Sequence, residues 1–421
     1  MVRFLHTADW QIGMTRHYLS VEAQPRFTAA RTDVVRRLGE VAGAEGCDFV
    51  VVAGDVFEHN QLTPQTVRRA LEALRAVPVP VFLLPGNHDH LGPMSNWSSA
   101  LLREELPGNV RVLDRPGLHE VSPGVELVAA PWVGKHPDGD PVAGVLSDLV
   151  PAPEGVVRVL VGHGAVDVLD ADRRTASAIA VAPLVRALDE GRVHYVALGD
   201  RHSTTQVGDP AVWYSGAPEP TAWREDRPGE VLVVEVTPGP PRARAQVEVT
   251  ARRVSRWTYT ALDRHLGSDE DLDLLESELD ALPDKDRTVL RLGLQGTLGL
   301  AQHARLEELL ERHAQLFGAL HRPSQHTDLV LAGDDDLVDL GLRGFLASAA
   351  EEIRGGAHLQ PRPATAEPQA EDLPAEPQAQ DAPMPGAAQV DRPFTPGMPD
   401  DEQSARDALA LLYRLTRGER R

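Results

Sequence analysis

The chain has almost no lysine and a single cysteine. Lys135 and Lys285 are its only lysines, so nearly all of its positive charge is carried by arginine. Arginine's planar fork suits phosphate contacts, but genome composition produces the same bias, so the imbalance alone identifies no nucleic-acid partner. Cys47, standing alone, excludes an internal disulfide and fits a reducing compartment. Long apolar runs are missing too: the stretch through Val50–Ala53 is strand-sized, far short of a bilayer span. Met1-Val-Arg-Phe-Leu-His leads straight into a strand with no apolar signal segment, which makes the cytoplasm the expected location and no membrane the expectation. Net positive charge is also absent. A formal charge of −21 argues against a polyanionic partner over the chain as a whole, although binding depends on where the charges lie. No internal repeat is present.

What is there suffices for sizeable cores: 42% of the 421 residues are hydrophobic, a length that implies two domains plus extra segments. Up to about Ala222, β-branched runs alternate with helix-like stretches, the pattern of a layered α/β domain. Strands are expected at Val2–Leu5, Asp48–Val52, Val79–Leu84, Val157–Val161 and His194–Leu198. Helices are expected over Gln24–Ala44, where Val34, Val35, Leu38 and Val41 share a face, and from Thr63, which caps a Pro64 start. The expected division is a first domain over residues 1–240 and a smaller α+β domain over 241–354. A Pro/Ala/Gln/Glu-rich linker follows over 355–400, too poor in apolar residues to order itself. A final helix over 401–421 carries Ala405, Ala408, Leu412 and Leu415 on one stripe. Beyond a long linker, that stripe is better placed to dock on a partner helix than to join the main core.

Five of the expected strands end in polar clusters: Asp9-Trp10-Gln11, Gly54-Asp55, Gly86-Asn87-His88-Asp89, Gly162-His163 and Gly199-Asp200-Arg201-His202. Ligand sites of α/β sheets gather at the carboxyl ends of strands, so the five can converge in one crevice. Singly, each has an ordinary explanation. A Gly-Asp after a strand is usually a turn, and a strand-end histidine is usually hydrogen-bonded. Together they supply carboxylate, amide and imidazole donors, the inventory of a two-metal centre. Asp9, Gln11, Asp55, Asn87, His163, Asp200 and His202 are the candidate ligands. His88 remains as a general acid, with Asp89 as its orienting neighbour. Arg201 is a candidate phosphate contact, with a local salt bridge as the plainer alternative. Trp257 and Tyr259 suit core packing better than base stacking, and Asp138 and Asp140 suit a solvated turn.

The order of these motifs resembles that of calcineurin-like metallophosphoesterases. "FLHTADWQIG", "VVAGDVFEHN", "PGNHD" and "WYSGAPEPT" resemble, more narrowly, the SbcD-type DNA repair exonucleases. The resemblance covers residues 1–225 well, the smaller domain plausibly and the tail only by position. It implies a four-layer α-β-β-α sandwich with an α+β capping domain. It also implies two divalent ions, Mn²⁺ foremost and Mg²⁺ second. One ion would be held by Asp9, Gln11, Asp55 and His202, the other by Asp55, Asn87, His163 and Asp200, with Asp55 bridging. His88 would protonate the leaving oxygen, water being the nucleophile. The implied partners are DNA and an SbcC-like coiled-coil ATPase bound through the C-terminal helix, and the implied assembly is a homodimer.

The chain departs from the pattern at three places. Gln11 and Asp200 stand where histidines are usual, which makes the centre richer in oxygen and favours hard ions over zinc. Glu58 stands where a histidine near the scissile phosphate is usual, so either His59 beside it takes that role or the role is lost. The expected activity is phosphodiester hydrolysis, as a DNA exo- or endonuclease in DNA repair. One alternative is a phosphoesterase for small nucleotides or phosphoprotein. The other is a catalytically weakened DNA-binding or scaffolding member of the ATPase complex.

Overall fold

Hydrophobic alternation along short strands decides the architecture. The computed structural model describes residues 1–169, 177–240 and 244–332. In chain order the first elements are β1 (Val2–Thr7), α1 (Ala23–Ala44), β2 (Phe49–Val52), α2 (Pro64–Arg75), β3 (Val81–Leu83), α3 (Ala100–Glu105) and β4 (Val110–Val112). Next come β5 (Gly117–Ser122), β6 (Val125–Ala130), α4 (Pro141–Ser147), β7 (Val157–His163), α5 (Val181–Asp189) and β8 (Tyr195–Gly199). Then β9 (Thr205–Gln206), β10 (Val212–Tyr214), β11 (Glu230–Thr237) and β12 (Gln246–Arg253) complete two sheets.

The first sheet has the order β12-β11-β1-β2-β3-β4, the second β5-β6-β7-β8-β10-β9. β1 to β4 run parallel, and β11 returns antiparallel on β1. The period of two then sorts side chains to opposite faces. Phe4, Phe49, Val51 and Phe82 meet the second sheet's Leu127, Val159 and Val196 in one core. Leu5, Val50, Val52 and Leu83 face the other way, onto Val34, Val35 and Leu38 of α1 and Val67, Leu71 and Leu74 of α2. Val142 and Leu146 of α4 and Leu184 and Leu188 of α5 cover the second sheet. The result is an α-β-β-α sandwich.

One polar group crosses the sandwich. His6 is fully buried; its Nδ1 accepts from the Tyr195 hydroxyl at 3.0 Å and its Nε2–H donates to the Leu198 carbonyl at 3.2 Å. Burial pushes its pKa down to about 3, so the ring stays neutral and satisfied.

The first compact unit comprises Met1–Leu262, Leu282–Leu292 and Leu316–His321. The boundary expected at 240/241 therefore moves. β12 pairs with β11 over eight residues, from Glu230↔Arg253 to Thr237↔Gln246, so the strand that follows the Gly239-Pro240-Pro241 sequence returns to the first sheet. A turn signal marks a hairpin as readily as a domain boundary. Trp257 lies in this unit at 1% exposure, edge-on to Phe27, and is a core residue. The remaining elements are β13 (Thr258–Leu266), α6 (Asp269–Ala281), β14 (Thr288–Gly299), α7 (Leu300–Ala314), β15 (Ala319–His321) and β16 (Asp328–Ala332). The second unit takes Asp263–Ala281, Gly293–Gln315 and the chain from Arg322. There α6 packs on α7, with Leu272, Leu275, Leu306 and Leu309 buried, and β16 runs parallel to Gln295–Gly299. Arg305 and Arg312 of α7 pair with Asp273 and Glu276 of α6 at the surface. The end of the expected capping domain (333–354), the linker and the partner-binding helix lie outside the described residues. No helix among the described residues is long and apolar enough to cross a membrane.

Candidate metal centre

The seven candidate ligands lie at or just beyond the ends of β1, β2, β3, β7 and β8, and the first two loops are held together by their backbones. Asp9 N donates to Gly54 O at 3.1 Å, Gln11 N to Asp55 O at 3.0 Å and Ile12 N to Val56 O at 2.9 Å. To turn each side chain inward, the backbone enters the left-handed region: φ is 53° at Asp9, 45° at Gln11, 53° at Asp55 and 101° at Asp200. Among the described residues the only other non-glycine there is Asp284. Such conformations cost about 1–3 kcal/mol each and gather at functional sites. Four of five fall on residues singled out by the motifs.

His163 is fully buried. Its Nδ1–H donates to the Ala53 carbonyl at 2.8 Å, which turns Nε2 toward Asn87 Oδ1 at 2.7 Å, Asp55 Oδ1 at 3.3 Å and Asp200 Oδ1 at 3.9 Å. Trp132 Nε1 holds the His163 carbonyl at 2.7 Å. Burial opposes a charge on this ring, yet Asp55 and its neighbours raise the ring's pKa well above the usual value. The same pairing outweighs burial at Asp55 and draws its carboxyl down to about 2.

His202 lies beside Gln11, with Gln11 Nε2 and His202 Nε2 3.1 Å apart. On the far side of the ring, Nδ1 meets Thr221 Oγ1 at 2.7 Å and Glu225 Oε1 at 3.2 Å. Burial disfavours its charged form, but Glu225 and Asp9 more than offset this and push it up to about 9. Asp200 N donates to both oxygens of Asp9, at 3.1 and 3.2 Å. Burial, only partly countered by His202 and His163, raises Asp9 to about 6.

These donors fit divalent ions. Ligand atoms of Asp9, Asp55 and His163 lie within 4.8 Å of one another, all buried. Gln11 Oε1 is buried without a hydrogen-bond partner. Three carboxylates crowd a buried space, and burial raises two of them, Asp9 and Asp200. A cation relieves all of this at once. The donors are oxygen-rich, as hard ions prefer.

The other candidates sit around the cluster. His88 is exposed; its backbone N donates to Asp55 Oδ1 at 3.0 Å and its Nδ1–H to the Glu58 carbonyl at 2.9 Å. Burial of the ring's inner side disfavours its charge, but Asp55 and Glu58 raise its pKa. Asp89 does not touch that ring. Its oxygens accept from Gly86 N at 2.7 Å and Phe57 N at 3.1 Å, so it pins the loops after β3 and β2. His59 is exposed and its Nδ1 accepts from Gln61 N at 3.0 Å, within its own loop. Glu58 has a buried, unpartnered Oε2, and burial raises its pKa. Arg201 is half-buried, with Nε on Thr205 Oγ1 at 3.0 Å. Asp140 caps α4 through Val142 N at 2.8 Å, so its carboxylate serves the fold.

Replacing Asp89 by alanine is expected to lower stability by about 2–5 kcal/mol, because two buried amides lose their acceptor. Asp89→Asn, retaining one acceptor oxygen, should lose roughly half of that. Urea unfolding of the metal-free protein measures both. An alanine variant that is fully stable yet inactive would instead assign Asp89 to the chemistry.

Thr221 and Glu225 escape sequence reasoning as site residues, although Thr221 closes the motif "WYSGAPEPT" and Glu225 lies four residues beyond it. The fold shows what that motif does. Glu219 accepts the amides of Arg256 at 3.0 Å and Trp257 at 3.1 Å and pairs with Arg37. Arg31, fully buried, donates to the Trp10, Glu219 and Pro220 carbonyls and so joins this loop to the one carrying Asp9 and Gln11. The loop thereby delivers Thr221 and Glu225 to His202. The only sequence signal is a carboxylate four residues beyond a threonine, too common to notice.

The calcineurin-like phosphoesterase family model matches residues 2–204. The DNA double-strand break repair protein Mre11 of Archaeoglobus fulgidus is 33% identical over 91 residues, 21% of this chain and 19% of that protein. The SbcD component of the SbcCD nuclease of Rhodobacter capsulatus is 41% identical over 93 residues, 21% of this chain and 22% of that protein. The uncharacterized metallophosphoesterase YhaO of Bacillus subtilis is 30% identical over 115 residues, 26% and 27% of the two chains. The matched stretches thus span about a fifth to a quarter of these relatives' own length. With the sandwich and its five-loop cluster in place, residues 2–204 belong to the calcineurin-like phosphoesterase family.

Proposed function

We propose that the chain is a Mn²⁺-dependent phosphodiesterase acting on DNA, an exo- or endonuclease in DNA repair. In this reading it works as a homodimer beside an SbcC-like coiled-coil ATPase bound through residues 401–421. The observation that carries the hydrolase is the buried donor cluster with exposed His88 at its rim. The partial similarity to Mre11 and to the SbcD component of a nuclease supports DNA as the substrate.

Asp9, Gln11, Asp55 and His202 would hold one ion, and Asp55, Asn87, His163 and Asp200 the other. Bound there, two divalent ions supply Lewis acidity toward the phosphate and the attacking water. The protein's own groups do the rest. Left-handed backbone at Asp9, Gln11, Asp55 and Asp200 aims the donors before substrate arrives. His88 gives its Nδ1–H to Glu58 and keeps Nε2 for the substrate. Its raised pKa keeps a proton there to pass to the leaving oxygen. Arg201 spends Nε on Thr205, and its terminal nitrogens make no hydrogen bond among the described residues, so they suit a substrate phosphate.

Plasmid DNA, a cyclic nucleotide and a chromogenic phosphodiester, each with Mn²⁺, separate the readings. DNA cleavage that His88→Ala lowers by about 10²–10⁴-fold, with bound metal unchanged, is the expected result. Turnover of the small esters alone would favour a small-molecule phosphoesterase. The bonding of His59 to its own loop favours a second reading, a weakened DNA-binding or scaffolding component. Absence of any hydrolysis, with or without the ATPase, would make that reading the better one.

A further inference from the structure

β2 and β3 pair as far as Val52 and Leu83, and beyond them the ladder ends. Among the described residues no backbone–backbone hydrogen bond joins residues 54–62 to residues 85–98. Yet these two loops have to keep a fixed register, because His88 gives its Nδ1–H to the carbonyl of Glu58 on the other loop, at 2.9 Å. That carbonyl decides which way the ring faces. With Nδ1–H spent on it, Nε2 is the nitrogen left for the substrate.

Side chains supply what the backbone lacks. Asp55 Oδ1 accepts from His88 N at 3.0 Å, and Asp89 Oδ2 accepts from Phe57 N at 3.1 Å. Farther along the chain, two asparagines cross-tie the loops. Asn60 Nδ2 donates to the His90 carbonyl at 3.0 Å, and Asn60 Oδ1 accepts from Asn96 N at 3.1 Å. Asn96 Nδ2 donates to the His59 carbonyl at 2.9 Å. Each of these amide atoms meets a backbone group that can act in one way only, a carbonyl that accepts or an N–H that donates, so both orientations are fixed. Asn96 is 6% exposed and opens a short 3₁₀ turn that Ser95 caps through Ser98 N at 3.3 Å, so it is a firm anchor. The Glu58 carbonyl thus lies between two pinned peptide groups. Glu58 N donates to the Ile12 carbonyl at 3.1 Å on one side, and Asn96 holds the His59 carbonyl on the other. Both asparagines bond to these loops alone and to none of the candidate metal ligands.

We propose that Asn60 and Asn96 are positioning residues for the hydrolysis: they hold the Glu58 carbonyl in place and, through it, the His88 ring. This inference rests on the phosphodiesterase reading above and names the residues on which its acid depends. In that reaction His88 passes its Nε2 proton to the leaving oxygen as the P–O bond breaks, and regains one from solvent. A ring free to turn aims Nε2 at the leaving oxygen less often. The loss is confined to substrates whose leaving group needs the proton. An alcohol such as a deoxyribose hydroxyl leaves poorly as its anion, whereas a nitrophenolate leaves unaided.

Two diesters of one nucleotide, a nitrophenyl and an alkyl ester, test it in the Mn²⁺-loaded full chain. Asn60→Ala should lower kcat on the alkyl ester by about 10- to 100-fold, the cost of a misplaced group, and on the nitrophenyl ester by less than about threefold. KM and bound Mn²⁺ should stay as in wild type. Asn96→Ala should behave alike, and Asn60→Asp, which keeps the acceptor for Asn96 N and loses only the donor to His90, should fall between. In a His88→Ala background none of these substitutions should lower kcat further, because each acts through the ring. Nitrogen NMR of the metal-free protein at alkaline pH reads the ring directly, the His88 signal being the one that His88→Ala removes. Wild type should show the Nδ1–H tautomer, and Asn60→Ala an average of the two. Circular dichroism confirms folding, and a wild-type ring without the Nδ1–H tautomer would overturn the inference even if no variant folds. Equal losses on both esters, a fall in bound metal, or a further loss in the His88→Ala background would overturn it too, while leaving the phosphodiesterase reading intact. A wild type that hydrolyses neither ester nor DNA would overturn both.

Discussion

Asp55→Ala is expected to abolish Mn²⁺-dependent hydrolysis, a loss of at least about 10³-fold, which exceeds the usual cost of removing one transition-state donor. In the proposed two-ion reading Asp55 is shared by both halves of the cluster, and its ligand atom lies within 4.8 Å of those of Asp9 and His163. Its Oδ1 lies 3.3 Å from His163 Nε2 and accepts the His88 backbone N at 3.0 Å, so it also places the proposed acid. Metal content measured after dialysis should fall with activity, to less than one ion per chain. A second effect is readable without metal. The Asp55 carboxyl, drawn from 3.8 to about 2 against the opposition of burial, contributes stability that is present above 3.8 and lost as pH falls through about 2. The alanine variant lacks that contribution, so its stability should change less than wild type's across that acid window. Asp55→Asn, nearly the same shape, separates lost charge from lost packing. Retention of a tenth of the activity by Asp55→Ala would remove Asp55 from the bridging role.

Gly199→Ala is expected to damage fold and site together. A Cβ there would lie 1.9 Å from the Ala53 carbonyl oxygen, 2.8 Å from Ala8 Cβ and 2.8 Å from His163 Nδ1. The first of these is backbone and cannot step aside without moving β2. It is also the oxygen that fixes the His163 tautomer, at 2.8 Å. Overpacking of this kind costs about 1–3 kcal/mol, a fall in Tm of roughly 2–12 °C for a domain of this size. Metal binding on the His163 side should weaken as well, because the ring loses its anchor. Gly139→Ala is the control: nothing lies within 4 Å of a Cβ built there, and its stability should match wild type. A Gly199→Ala protein with normal melting and normal metal binding would show that the contact relaxes more easily than its geometry implies.

Much of the centre is legible along the chain because strand ends and glycine turns leave local marks. Asp9, Asp55, Asn87, His163 and Asp200 each follow a run of apolar residues, and the structure brings all of them together. Period-two alternation likewise foretells the strands, since the face to which Phe4 or Leu5 turns is dictated by parity alone. The domain boundary is not legible. Nothing local to Gly239-Pro240-Pro241 says whether the next strand starts a new sheet or, as it does, returns to β11.

By itself, then, the sequence determined which side chains are available as ligands and which strands deliver them, for these follow from short-range chemistry. Only the tertiary structure decided what those side chains do. It set Asp89 to holding Gly86 and Phe57 rather than His88, since which donor a carboxylate meets depends on how two loops cross. It brought Glu225 and Thr221 to His202 by way of Arg31 and Glu219, residues far apart in the chain and joined only through space. It also set the amide of Gln11 beside His202 and that of Asn87 beside His163. Which ring each amide meets depends on strands that only folding brings together.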